Sequence, residues 1–190
     1  EIFPDKDGKL LQFCKEVQAP GVIGQLIGKS LLETLAMPHK SIVLLNDTVA
    51  TLLAGKSASF GKKYDSYIGF ILGTGTNTCY TEQNHCIQKN NNLDPYKSQV
   101  INIESGNFNL APRTDIDIIF DNTTSNPGEY SFEKMISGGY FGGMCLAFLK
   151  RAYEEGVFSQ SISGNILSLD EMCTEEVSRF ITEQNSGRGQ

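Results

Sequence analysis

No apolar run in these 190 residues approaches the roughly 18 needed to cross a bilayer as a helix. No stripe of lysine and arginine offers itself to nucleic acid, and a formal charge of −6 disfavours an anionic membrane surface. The five cysteines (Cys14, Cys79, Cys86, Cys145, Cys173) are odd in number and lack a Cys-x-x-Cys spacing, which argues against a disulfide framework and against a zinc site. No secretory leader pattern is visible, so a reducing, cytoplasmic setting is the expectation. Two phosphate-binding signatures are also missing. No Gly-Lys-Ser/Thr follows the Gly73-Thr-Gly75 loop, so that loop is not a P-loop. The Gly73-Thr-Gly75 pair lacks the third glycine of a dinucleotide fingerprint and runs into strand-like rather than helical residues.

What is present is an α/β order of elements. Residues 42–45 form a short apolar run with β-branched members, long enough for a strand buried on both faces. It stops at Asn46-Asp47-Thr48, and Val49, Leu52 and Leu53 then continue at helical spacing to about Gly55. A strand that delivers polar residues where a helix begins is a usual ligand position in open α/β sheets. The helix start also favours an ionised Asp47, although Asp47 or Thr48 serving only as an N-cap is the plainer reading of these residues alone.

Elsewhere the pattern predicts a turn over residues 3–8 leading to a strand at 10–13, an amphipathic helix over 22–35, and strands at 67–72, 78–81 and 100–104. Residues 84–97 read as a polar loop. Residues 114–120 alternate like a half-exposed strand, with a short helix as the alternative. Asn126-Pro-Gly-Glu129 predicts the start of one long helix reaching Gly156, interrupted by Gly138-Gly139 and Gly142-Gly143, which implies a close approach to that face. A last helix covers 174–182. The chain opens at Glu1 on half of a turn and closes on a polar loop, so it reads as a piece of a longer protein.

Three groups of residues could carry chemistry. Asn46 and Asp47 are the first. Gly73, Thr74 and Gly75 form a tight Gly/Thr loop between strands, suited to phosphate through amides and hydroxyl, with Asn77 just beyond; an ordinary hairpin turn is the plainer reading. Glu104 ends an apolar strand, with Ile101 and Ile103 expected to be buried around it. Glu133 lies near the start of the long helix, where a solvated face is the common explanation. Carboxylates accept hydroxyl protons and asparagine both donates and accepts, so Asn46, Asp47, Asn77, Glu104 and Glu133 are an inventory suited to a polyhydroxylated sugar.

Four segments, in this order, resemble the hexokinase family: Leu45-Asn-Asp-Thr-Val-Ala-Thr-Leu52, Gly69-Phe-Ile-Leu-Gly-Thr-Gly-Thr-Asn-Thr-Cys-Tyr80, Ile101-Asn-Ile-Glu-Ser-Gly-Asn-Phe108 and Asn126-Pro-Gly-Glu-Tyr-Ser-Phe-Glu-Lys-Met-Ile-Ser-Gly-Gly139. Leu10-Leu-Gln-Phe-Cys-Lys15 and Gly21-Val-Ile-Gly24 are similar to its small-lobe sugar segment, and the resemblance weakens past Val157. It implies an actin-like ATPase (ribonuclease H-like) fold of two α/β lobes, a mixed sheet flanked by helices, with residues 1–45 ending the small lobe and 46–190 in the large one. It implies ATP-dependent phosphorylation of a glucose-like hexose at its 6-hydroxyl, with Mg²⁺. In that reading Asp47 is the catalytic base, Asn46, Asn77, Glu104, Glu133 and Lys15 hold the sugar, and Gly73, Thr74 and Gly75 meet the nucleotide phosphates.

Cys14 stands where the family usually has Thr, and Tyr130 where Gln is usual. The family's N-terminal phosphate motif, with an Asp that helps position Mg²⁺, its Ser-Phe-Pro-like sugar segment and its C-terminal adenosine motif are absent from these residues. By the resemblance they would lie upstream of Glu1 and downstream of Gln190, leaving the isolated segment nearly inactive. A sugar sensor that lost turnover is the alternative function, motivated by Cys14 and Tyr130. An actin-like scaffold is a third.

Overall fold

The β-branched and aromatic residues over 68–83 fold, in the computed structural model, into a hairpin of β1 (Ile68–Leu72) and β2 (Thr76–Gln83), extended by β3 (Ser98–Asn102). Residues 2–3, 7–11, 19–158 and 166–186 are described. All three strands are antiparallel in the order β1-β2-β3, and Leu72 faces Thr76 across the Gly73–Gly75 turn. The expected strand–turn–strand is present. The loop at 84–97 is irregular, with one short 3-10 turn at Asn84–Cys86.

The chain divides into two units, Glu1–Ala50 and Thr51–Gln190. In the first, Ile2 bridges Gly8 and Lys9 bridges Leu26, and Phe3 N–H donates to Asp7 O (2.8 Å), so the expected turn closes. Beyond Leu11, the strand expected at 10–13 runs outside the described residues. Helix α1 (Ile27–Thr34) starts later than the 22–35 periodicity predicts. Asp7 sets that start: its carboxylate accepts the N–H groups of Gly8, Gly28 and Lys29, which hold it below the ordinary carboxylate range.

Residues 42–45 are not a strand. Among the described residues nothing pairs with them, and Val43 and Leu45 are half exposed rather than buried on both faces. A strand is a property of a ladder, and an apolar run without a partner has none. Helix α2 (Asp47–Ser57) follows as expected, and the division between the units falls within it.

In the second unit, helix α3 (Asp115–Asp121) occupies the segment whose alternation suggested a strand. A capping box decides this. Thr114 Oγ1 accepts from Asp117 N–H, and Asp117 Oδ2 accepts from Thr114 N–H (2.6 Å). The long helix predicted from Asn126 is two helices, α4 (Ser131–Ile136) and α5 (Phe141–Glu154). At its head, residues 126–130 turn instead. Gly128 and Tyr130 have positive φ, Gly128 N–H goes to Asp121 Oδ2 (3.0 Å), and Asn126 O accepts from Lys134 Nζ (2.7 Å). In its middle, Gly138 and Gly139 send their N–H groups to the Gly73–Thr74 backbone instead of up the helix.

Helix α6 (Thr174–Ser186) closes against this break, because Thr174 Oγ1 accepts from Gly142 N–H (2.9 Å) and donates to Gly138 O (2.6 Å). Among the described residues the buried apolar side chains are Leu52, Cys79, Met144, Leu146 and Ile166. No helix among the described residues is long and apolar enough to cross a membrane.

Candidate functional site

The turn between β1 and β2 gathers most of the candidate residues. Gly138 N–H donates to Gly73 O (2.7 Å) and Gly139 N–H to Thr74 O (2.9 Å), an approach so close that a Cβ on Gly139 would lie 2.6 Å from Thr74 O. A trans peptide holds its C=O and the following N–H on opposite sides. Tying down these two carbonyls therefore turns the N–H groups of Thr74 and Gly75 away from the Gly138–Gly139 backbone, side by side. The close approach expected along the glycine-rich helix is thus made by the Gly73–Thr74 loop itself.

One residue past the turn, Thr76 N–H donates to Glu133 Oε2 (2.8 Å). Glu133 is 6% exposed, so the solvated helix face expected for it is not what forms; α4 turns it inward onto the hairpin. Gly106 permits this, since a Cβ there would stand 3.2 Å from Glu133 Oε2 and 3.0 Å from Thr76 O. Phe108 and Phe132 pack edge to face at 6.1 Å, fastening the loop after β3 to α4.

Glu104 departs from expectation in the other direction. Strand β3 stops at Asn102, Glu104 is exposed in the left-handed region (φ 56°, ψ 48°), and Ile103 is half exposed rather than buried beside it. A non-glycine residue held in that conformation costs about 1–3 kcal/mol, which neighbouring interactions must offset. Here they come from amides. Asn102 Nδ2 donates to Glu104 Oε1 (2.6 Å), and Asn77 Nδ2 donates to the same oxygen (3.2 Å) and to Asn102 Oδ1 (2.8 Å). Asn77 Oδ1 accepts from the N–H groups of Thr78 (2.7 Å) and Ser105 (3.3 Å).

Asn77, Glu104, Glu133 and the Gly73–Gly75 turn are therefore brought together within the second unit. Asn46 and Asp47 belong to the first. Asn46 Oδ1 accepts from Thr48 N–H (2.9 Å), and Asp47 Oδ1 accepts from the same N–H (2.8 Å). Asn46 thus caps α2, and Thr48 supplies the donor; it is not the cap itself. Asp47 is exposed in the first turn. Cys14 and Lys15 lie outside the described residues. Tyr130 N–H donates to Asn107 Oδ1 (3.2 Å), joining the head of α4 to the loop that carries Glu104. Asn102, Gly106 and the anchoring role of Gly138–Gly139 were not singled out from sequence.

A family model described as Hexokinase matches residues 67–188. This chain belongs to the hexokinase family. Hexokinase-2 of Solanum tuberosum is 36% identical over 188 residues, covering 94% of this chain and 37% of that protein. The Hexokinase-like 1 protein of Arabidopsis thaliana is 37% identical over 142 residues, covering 71% of this chain and 27% of that protein. A solved hexokinase from Schistosoma mansoni, complexed with glucose, superposes with a TM-score of 0.65 at 27% identity, over 80% of this chain and 35% of that one. The fold is accordingly the actin-like ATPase fold of the hexokinases, of which the three-stranded sheet and its helices form a part. The chain spans about a third of the length of the relatives it matches.

Proposed function

We propose that this hexokinase-family chain carries the hexose pocket and phosphate loop of an ATP-dependent kinase acting on the 6-hydroxyl of a glucose-like sugar. The observation that supports this best is the meeting, at one hairpin turn, of two carboxylates and an asparagine with a Gly/Thr turn held by the Gly138–Gly139 backbone. Sugar hydroxyls both donate and accept, and Glu104, Glu133 and Asn77 supply acceptors and donors for them. Asn46 contributes its side-chain NH₂, since its oxygen is engaged in capping α2. Lys15 and Cys14 are assigned to the sugar by the family resemblance alone, which also ends the small lobe with residues 1–45 and begins the large one with 46–190. The N–H groups of Thr74 and Gly75 take the nucleotide phosphates.

Asp47 is the base. As the sugar O6 bonds to the γ-phosphorus of ATP, the O6 proton passes to the Asp47 carboxylate, and the bond from that phosphorus to the β–γ bridging oxygen breaks to leave ADP. The transition state is loose, so the protein's part is chiefly to align the hydroxyl and spread the developing charge. Its place in the first turn of α2 sets it against the positive end of the helix dipole. Mg²⁺ belongs to this reading through the family, but the described residues contain no group of three or more His, Cys, Asp or Glu able to hold a metal. A cytoplasmic setting is part of the same proposal.

Replacing Asp47 with Ala in the full-length protein tests the assignment. Turnover is expected to fall by about 10²–10⁴, the range of a general base, while calorimetric hexose binding largely survives. A near-normal kcat would remove Asp47 from the role. Hexose binding by the unaltered protein with no ATP turnover would favour the sensor.

A further inference from the structure

Asn102 is not among the residues that the sugar reading needs, yet it is the only side chain bonded to both Asn77 and Glu104 among the bonds described. It closes β3 opposite Cys79, so it is the diagonal neighbour of Asn77 on β2 and stands two residues before Glu104, which lies just past the end of the strand. Its orientation is fixed from both ends, with Oδ1 accepting from Asn77 (2.8 Å) and Nδ2 donating to Glu104 Oε1 (2.6 Å).

The bonds leave little freedom to the other two members. Asn77 Oδ1 takes two backbone N–H groups, so its amide end is assigned, and both Nδ2 protons are committed to Asn102 and Glu104. Glu104 receives both amides on one oxygen, Oε1, and none of the bonds described falls on Oε2. A carboxylate on an exposed, left-handed residue has several accessible rotamers. Two donors converging on a single oxygen select one of them.

We propose that Asn102 is a positioning residue for the sugar. It orients the Glu104 carboxylate so that Oε2 is presented to a hexose hydroxyl before the sugar arrives. When the sugar comes to Asn77, Asn102 Oδ1 is also the acceptor that can release an Asn77 proton without leaving Glu104 unsupported. The inference rests on the hexose-kinase reading above and concerns the sugar side of that site alone.

Asn102→Ala and the isosteric Asn102→Asp, made in the full-length protein, test it by hexose binding calorimetry and by steady-state kinetics. Asn102→Ala is expected to raise the hexose Kd and KM by about tenfold or more, the loss of a hydrogen bond to a charged group, with the KM for ATP unchanged. Asn102→Asp keeps the volume but sets a second carboxylate against Glu104, so one of the pair takes up a proton at a raised pH. Its hexose affinity should therefore recover as pH falls from about 8 to 5, by more than that of the unaltered protein changes over the same range. A merely structural role would not create that pH dependence. Unchanged hexose affinity in Asn102→Ala, in a protein whose parent binds hexose, overturns this inference alone. So do equal losses for hexose and ATP, or a flat profile in Asn102→Asp. No hexose binding by the parent overturns both the sugar reading and the inference.

Discussion

Glu104 and Glu133 flank the same turn of backbone and are held in opposite ways. Glu104 is exposed on a left-handed residue at the end of a strand, oriented by the side-chain amides of Asn77 and Asn102. Glu133 is buried on a helix and carries a backbone N–H of the hairpin on its carboxylate. The first can be altered with little consequence for the fold. The second is part of what joins α4 to the sheet, so binding and stability are coupled there. A carboxylate that also satisfies buried backbone cannot be exchanged freely, because the orphaned N–H costs about 1–3 kcal/mol.

The largest expected effect lies one residue beyond Glu133 and tests whether α4 is pinned independently of that carboxylate. Lys134 is 2% exposed; its Nζ donates to Asp121 Oδ1 and to Asn126 O, and Arg113 approaches the other Asp121 oxygen at 3.3 Å. Removing one partner of such a pair leaves a buried charge, so Lys134→Met should cost about 3 kcal/mol in denaturant unfolding. Burial pushes the Asp121 carboxyl up. The Lys134 hydrogen bond, the Gly128 N–H and the charges of Lys134 and Arg113 outweigh it and hold it below the ordinary range. A carboxyl lowered on folding contributes stability that is present above its unfolded pKa, about 3.9. That stability is lost as pH falls through the folded value. The unaltered protein should therefore lose stability as pH drops below about 4, and Lys134→Met should show a flatter slope there. Equal slopes would mean that the ion pair is not what pins α4.

How far the sequence reached can be judged from particular residues. The β1–β2 hairpin and helices α2 and α6 were legible because their periodicity needs no distant partner. The strand expected at 42–45 was not, since its ladder depends on a neighbour that those residues do not specify. Residues 114–120 alternate, but the Thr114–Asp117 capping box outweighs alternation in a segment of seven helical residues. The two glycines were read as a close approach within one helix and not as the break between α4 and α5, because the N–H partners that make the break, Gly73 and Thr74, lie more than sixty positions away. The inward turn of Glu133 was hidden for the same reason. Asn102 could have been found by asking which residue of β3 stands diagonal to Asn77, a step that requires the register and not only the composition.

Within the pair itself, Glu133→Ala is the next largest change. It orphans Thr76 N–H and empties a buried site, an expected loss of about 2 kcal/mol together with weakened hexose binding. Glu133→Gln should regain part of the stability, since an amide oxygen can accept the same N–H, without restoring the charged acceptor for a hydroxyl. Denaturant unfolding and hexose calorimetry on both variants separate the two losses. If Glu133→Ala were as stable as the parent, the Thr76 bond would contribute nothing and the contrast with Glu104 would collapse.

Glu104→Gln should be the mildest change to the fold. A glutamine can keep its oxygen where Oε1 now accepts the Asn77 and Asn102 amides, and the residue is exposed, so stability should stay within about 0.5 kcal/mol of the parent. What it replaces is the second oxygen, where an NH₂ would meet a hydroxyl in place of a charged acceptor. Hydrogen bonds to charged groups are about twice as strong as neutral ones, so hexose affinity should fall about tenfold while the unfolding midpoint barely moves. A large stability loss in Glu104→Gln would mean that the amide network holds the β3 end of the sheet rather than a ligand. An unchanged hexose affinity would leave Glu133 as the sugar's carboxylate and reduce Glu104 to a loop residue under strain.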